Sequence, residues 1–296
     1  MTMFSFLLRG PRALGALLLG VLSGCSPVSM LNALVPHDTY QRTRALPYGD
    51  LPRQKLDVYV PAQGARDAPV VVFFYGGSWE SGSREDYRFV GEALSSLGAV
   101  ALVADYRIYP EARFPVFLQD AAQAVKWAAH NAPTFGGDAN RLFVMGHSAG
   151  AHIALMLATD SDYLAAVGMQ PQQLRGAIGL AGPYDFLPLS SDRLKEIFGP
   201  ETNWPRSQPV NFVRGQEPPM LLATGDADDI VKPKNTASLA ARVRAAGGQV
   251  KEITYPKAGH VSIVVDLSSP FRGRSPVWQD VAAFIRETSG NPLAAR

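Results

Sequence analysis

A serine set between two glycines, five histidines and a knot of aspartates hold most of the chemistry open to this 296-residue chain. Gly146-His147-Ser148-Ala149-Gly150 interrupts the apolar stretch "RLFVMGHSAGAHIALMLA" at 141–158. The spacing predicts a buried strand before the pentapeptide and a helix after it. That is the G-x-S-x-G pattern in the strand–turn–helix setting that lifts a serine hydroxyl above the carboxyl edge of a sheet. The glycines suit a sharp turn past which neighbouring backbone must run closely. A plainer account, a glycine-lined turn with a capping serine, leaves the serine's partners elsewhere in the chain unexplained.

A serine hydroxyl is a weak nucleophile at neutral pH and needs a base, which in turn needs an orienting acid. His37 falls in an N-terminal stretch without periodicity, and His130 at the end of a predicted helix. His147 adjoins the serine on so tight a turn that its side chain is expected to point away from it. His152, one helical turn on, is expected to pack in the wall. His260, in "KAGHVSIV", follows a predicted strand late in the chain and is the expected base. The acid is expected between serine and base at a strand end. "LLATGDADDIVKP" offers Asp226, Asp228 and Asp229, with Asp185 in "GPYDF" a weaker fourth. Spacing does not separate the first three. The order serine, aspartate, histidine is that of α/β-hydrolases.

Negative charge developing on a substrate oxygen needs backbone donors. The Ala149 amide, opening the helix after the serine, is one. The glycine loop "FFYGGSW" (73–79) is placed to supply the amides of Gly77 and Ser78.

These groups need a scaffold that brings distant strand ends to one edge. "QKLDVYVP" (54–61) alternates and ends in proline, as an antiparallel strand does. "APVVVFFY" (68–75), "AVALVADYR" (99–107), "RLFVMG", "LRGAIGLAG" (174–182), "PPMLLATG" (218–225) and "QVKEITYP" (249–256) are further predicted strands, several of them continuous apolar runs. Helices are predicted over about 84–97, 115–132, 149–159, 235–248 and 275–287. The alternation implies a mostly parallel central sheet with helices on both faces, in one catalytic domain over 51–290. Residues 183–217, rich in Pro, Ser and polar residues, read as a connection over the top of the sheet.

Taken together, "YGGSW", "DYRIYPEARFP", "FGGDANRLFVMGHSAGAH", "GDADDIV" and "AGH" resemble the α/β-hydrolase carboxylesterases, in the branch near the hormone-sensitive-lipase-like and isoprenylcysteine methylesterase-like enzymes. The resemblance runs from about Asp57 to Phe284. It implies the α/β-hydrolase fold, a Ser148–Asp228–His260 triad, and an oxyanion hole from Gly77, Ser78 and Ala149. Asp228 is singled out because the family's acid stands in G-x-x-D-x-x-V, matched by Gly225, Asp228 and Val231. Tyr75 departs from the family's usual His-Gly-Gly loop, and His147 from the Gly-Asp-Ser of many relatives; the latter is expected to affect packing more than chemistry. The expected activity is hydrolysis of short-acyl or small soluble carboxylic esters. Arylformamidase-type, amide-type and methylesterase activities on the same triad are alternatives, and a non-catalytic surface binding protein is the competing class. No metal or organic cofactor is implied.

The N-terminus has a separate logic. Arg9 and Arg12 precede the apolar run "ALGALLLGVL", and "LSGC" ends at Cys25, the chain's single cysteine. This has the form of an export signal over residues 1–24, and it resembles the lipobox of bacterial lipoproteins. That implies a lipid on Cys25, a tether over 25–50 and an exported protein anchored to the cell envelope, with Ser26 favouring the outer membrane. The 28 basic and 26 acidic residues give a formal charge of +2; removing residues 1–24, which hold two arginines and no acid, brings it to zero. With no basic stripe, nucleic acid is not an expected partner. The expected partners are a small-molecule ester and, through the lipid, a membrane.

Overall fold

The computed structural model describes residues 31–290. The export signal, Cys25 and the first part of the expected tether lie outside the described residues. Apolar runs with little or no polar interruption form the middle of the sheet. Ala68–Phe74 (β3), Val100–Ala104 (β4) and Met220–Gly225 (β7) are buried along their whole lengths, as strands covered on both faces must be. With Tyr40–Pro47 (β1), Lys55–Pro61 (β2), Gly137–His147 (β5), Leu174–Leu180 (β6) and Val250–Tyr255 (β8), they make one sheet in the order β1-β2-β4-β3-β5-β6-β7-β8. The β1–β2 and β2–β4 pairs are antiparallel and all later pairs parallel. The carboxyl ends of β3, β5, β7 and β8 therefore share one edge.

The helices are Arg88–Ser95 (α1, entered through a 3-10 turn at Arg84–Tyr87), Val116–Asn131 (α2), Ala149–Thr159 (α3), Ser161–Ala165 (α4), Asp192–Phe198 (α5), Lys234–Ala245 (α6), Ser262–Val265 (α7) and Val277–Ser289 (α8). Two glycines of β6 show that the sheet is covered on both faces. A methyl group on Gly176 would meet Phe284 of α8 at 2.8 Å, and one on Gly179 would meet Leu155 of α3 at 2.8 Å. Positions three apart on a strand point to opposite faces. On the α8 side, α1 joins the layer: the Trp278 indole N–H donates to the Ala93 carbonyl at 3.0 Å. Gly91 of α1 sits so close over the Tyr59 ring that a side-chain carbon there would lie 2.6 Å from it.

The expectation of a tether through residue 50 is corrected by the structure. Tyr40–Pro47 is an edge strand, and Leu31, Val35 and Tyr40 are buried. Asn32 fastens the segment to the turn before α1, donating to the carbonyls of Glu85 and Asp86 and accepting from the Phe89 amide. The strand escapes sequence reading because most of its residues are half-buried or exposed, and its register slips between Thr43 and Leu46. A short, charged, bulged edge is a common defence against edge-to-edge pairing. Residues 183–217 do cross the top, but with internal structure: α5 and 3-10 turns at Glu201–Ser207 and Pro209–Phe212.

Candidate active site

Ser148 is the single residue between β5 and α3, and its backbone sits at φ 55°, ψ −123°. A non-glycine residue there is strained and is held only by its surroundings. The Ser148 amide donates to the Leu180 carbonyl at 2.9 Å, and its own carbonyl accepts from the His152 amide at 3.1 Å. The flanking glycines are there for lack of space. A side-chain carbon on Gly146 would stand 2.1 Å from the Gly150 carbonyl oxygen, and one on Gly150 would stand 2.0 Å from that of Phe74.

The partners arrive from two further strand ends. His260, in the loop between β8 and α7, places Nε2 2.8 Å from the Ser148 hydroxyl oxygen and Nδ1 2.8 Å from Asp228 Oδ2. A carboxylate accepts, so Nδ1 carries the proton and Nε2 turns its lone pair to the serine hydroxyl. Asp228 lies in the turn after β7 with a fully buried side chain. Its other oxygen accepts the amides of Ile230 and Val231 at 3.0 and 2.9 Å. Asp226 and Asp229 are exposed, and Asp226 accepts the Lys257 amide at 2.6 Å instead. Asp185 accepts the Ser238 hydroxyl. His37 and His130 lie on the surface, away from the serine.

The glycine loop after β3 closes the other side. Gly77, Ser78 and Trp79 have φ of 124°, 53° and 59° in succession. The Gly77 carbonyl turns back to accept the amides of Glu80 and Ser81 at 3.0 and 2.9 Å. The amides of Gly77, Ser78 and Ala149 find no acceptor among the described residues. Tyr75, which departs from the histidine usual in relatives, is locked beneath the loop. Its hydroxyl donates to Asp105 at 3.0 Å and accepts from Arg53 at 3.1 Å, while the Tyr106 hydroxyl donates to its carbonyl at 2.7 Å. Arg53 also holds the Gly82 carbonyl, and Arg84 binds Asp105. The loop thus rests on a buried polar network.

Beside Ser148 opens a cleft of about 230 Å³ walled by Trp79, Phe186, Leu194, Ile230, Val231 and Asn235. No charged side chain lines it. Phe186 and Leu194 come from the 183–217 crossing, and Asn235 pins that crossing by accepting the amides of Tyr184 and Asp185 at 3.1 and 3.0 Å. A larger groove, about 410 Å³, lies at the opposite end of the sheet by Leu174 and Gln249; it has no serine, cysteine or histidine, so chemistry favours the smaller cleft.

Two histidines flank the serine. His152 is buried, with Nε2 donating to the Ser207 carbonyl at 2.7 Å and its ring edge-on to Trp79. His147 is also buried, and its Nε2 donates to the main-chain carbonyl of His260 at 2.8 Å. Burial pushes the pKa of His147 down to about 3 and that of His152 to about 4, so both are neutral rings. His147 thus reaches across to the loop of the expected base, a contact that residue order did not signal. Among the described residues no group of three or more His, Cys, Asp or Glu is placed to hold a metal.

The sequence and the fold have counterparts among known proteins. The BD-FAE family profile matches residues 56–243. Isoprenylcysteine alpha-carbonyl methylesterase ICME of Arabidopsis thaliana is 27% identical over 276 residues, covering 86% of this chain and 64% of that protein. Esterase LipC of Mycobacterium tuberculosis is 31% identical over 250 residues, covering 76% and 60%. The chain thus spans about three fifths of the length of these curated relatives. The solved apo structure of Thermogutta terrifontis esterase 2 superposes with a TM-score of 0.68 at 25% identity, over 88% of this chain and 98% of that one. On its sheet order, its serine elbow and the profile match, the chain belongs to the BD-FAE family and has the α/β-hydrolase fold.

Proposed function

We propose that the protein is a serine hydrolase of carboxylic esters. One observation carries this reading: an unbroken hydrogen-bond chain from Ser148 through His260 to Asp228, both links 2.8 Å, at the mouth of an uncharged cleft. His260 Nε2 takes the Ser148 proton as the oxygen attacks the ester carbonyl. Asp228 holds the ring's Nδ1–H and balances the positive charge that forms. The free amides of Gly77, Ser78 and Ala149 receive the oxyanion. His260 then returns the proton to the leaving alcohol, and water, activated by the same ring, frees the acyl group. The size of the cleft and its apolar walls favour esters of small, uncharged groups.

The test is turnover of short p-nitrophenyl esters. Ser148→Ala is expected to lose roughly six orders of magnitude in kcat, and a fluorophosphonate is expected to label the wild type at Ser148 alone. A wild-type protein that neither turns over nor labels would be a binding protein on a hydrolase scaffold. A panel of matched esters, amides and formamides places the bond it prefers; faster amide than ester cleavage would overturn the ester assignment.

A further inference from the structure

The neighbour of the nucleophile has no part in the proton transfers, yet it contacts the base's loop and lies beside the glycine loop. His147 closes β5 and is buried. Its Nε2–H donates to the main-chain carbonyl of His260 at 2.8 Å, and the two rings lie 4.9 Å apart, tilted by 42°. Its Nδ1 faces the oxyanion loop: a side-chain carbon on Gly76 would stand 3.1 Å from it and 3.0 Å from the Ser148 side-chain carbon. That nitrogen has no hydrogen-bond partner among the described residues.

We propose that His147 is the positioning residue for the base: by holding the His260 carbonyl from the end of β5, it sets the imidazole's height over the serine beside it. The role rests on reading Ser148, His260 and Asp228 as the catalytic set. Nucleophile and base stand on β5 and β8, with β6 and β7 between them, and small shifts of the β8 loop would lengthen the 2.8 Å serine–imidazole contact. The loop's other ties run to the turn after β7: the Ala227 amide donates to the Ala258 carbonyl at 3.1 Å, the Lys257 amide to Asp226 at 2.6 Å, and His260 itself to Asp228. Gly259 and Ser262 cap one another, its amide donating to the serine hydroxyl at 2.8 Å, but that bond lies within the loop and does not tie it to β5. The His147 bond is the cross-tie, made by the residue next to the atom that must be reached. Misplacement of a catalytic group by about 1 Å can cost about a hundredfold in rate. A second base so close would compete for the serine proton. His147 does not, because burial lowers its pKa to about 3, which leaves the unpartnered Nδ1 too weak a base to take it.

The full chain carrying His147→Gln, His147→Asn or His147→Phe tests the role against p-nitrophenyl esters. Glutamine carries an amide donor about as far from the backbone as histidine Nε2; asparagine stops one methylene short, and phenylalanine keeps the ring and loses the donor. His147→Asn and His147→Phe are expected to lower kcat at least about tenfold with KM within about twofold, and to slow fluorophosphonate labelling alike. His147→Gln is expected to stay within about threefold of the wild type. Equal kcat in the Gln and Asn variants, or a loss confined to KM, overturns the proposal. If His147→Asn does not fold, the Phe–Gln contrast decides in the same way. Failure of all three to fold also overturns it, making His147 a core residue alone. A wild type without ester turnover removes the catalytic reading itself, a result distinct from any of these.

Discussion

Asp226, Asp228 and Asp229 present the same carboxyl group within four residues, and only their surroundings separate them. Asp228 is buried, with one oxygen on two backbone amides and the other on His260. The other two are exposed, and Asp226 accepts the Lys257 amide. Asp228→Asn keeps the shape but replaces an acceptor by an amide, which no longer enforces the Nδ1–H tautomer. It is expected to lower kcat by roughly four orders of magnitude, whereas Asp226→Asn and Asp229→Asn should remain within about twofold. Steady-state kinetics on a single ester decides this, and a large loss in Asp226→Asn or Asp229→Asn would assign the acid wrongly. At this scale the serine and the base were legible in residue order, because G-x-S-x-G has a mechanical meaning and five histidines can be weighed singly. Strand spacing leaves the three aspartates equal, since burial is a property of the folded turn; only the family motif at Gly225, Asp228 and Val231 points to Asp228, which the structure joins to His260. Residue order suggests only packing beside the serine for His147, while the structure joins it to the far loop. A side chain's partner 113 residues away leaves no mark on local spacing.

Elements position these groups through close backbone contacts, and the glycines report how little room there is. At Gly150 a methyl group would be driven against the Phe74 carbonyl of β3, and neither α3 nor β3 can yield without disturbing the sheet. Gly150→Ala is expected to cost about 3 kcal/mol or more, seen as a lowered melting temperature or lost soluble protein. Gly76 differs. Its added carbon would meet the Ser148 side chain, His147 Nδ1 and the His147 carbonyl at 3.0 to 3.2 Å, contacts relieved by shifts of a few tenths of an ångström. Gly76→Ala should fold with nearly wild-type stability, yet lose at least about tenfold in kcat, because the atoms that move are those of the site. Full activity in Gly76→Ala would show that the oxyanion loop and the elbow are less tightly coupled than their packing indicates. The buried parallel strands were legible because continuous apolar runs have few other uses. β1 was not: most of its residues are exposed or half-buried, and its bulge breaks the alternation. The 183–217 crossing lacked signal for a similar reason. Its 3-10 turns carry no period, and its buried Phe198 becomes core through contact with Trp79 and Phe117, which belong to other segments.

For the molecule as a whole, the two buried neutral histidines make stability depend on pH. His147 ties β5 to the β8 loop and His152 ties α3 to the crossing through the Ser207 carbonyl, so both join separate parts of the fold. Burial lowers their pKa values from 6.5 to about 3 and about 4. In the unfolded chain both rings take up protons near pH 6.5, which the folded chain refuses until much lower pH. The unfolded state therefore binds more protons in this window, and stability falls as pH falls. The contribution is intact above about pH 7 and declines from about 6.5; it levels off only below about 4 for His152 and about 3 for His147. At pH 5 each ring costs about 2 kcal/mol relative to neutral pH, a large share of the margin of an ordinary domain. His152→Gln keeps an amide donor for Ser207 and cannot titrate. Urea unfolding at pH 7.5 and pH 5 should then show the variant losing about 2 kcal/mol less than the wild type over that interval. Carboxylates titrating in the same range affect both proteins alike and cancel in the difference. Parallel losses in the two proteins would mean that His152 accepts a proton in the folded state without penalty, which its burial against Trp79, Phe186 and Phe198 argues against.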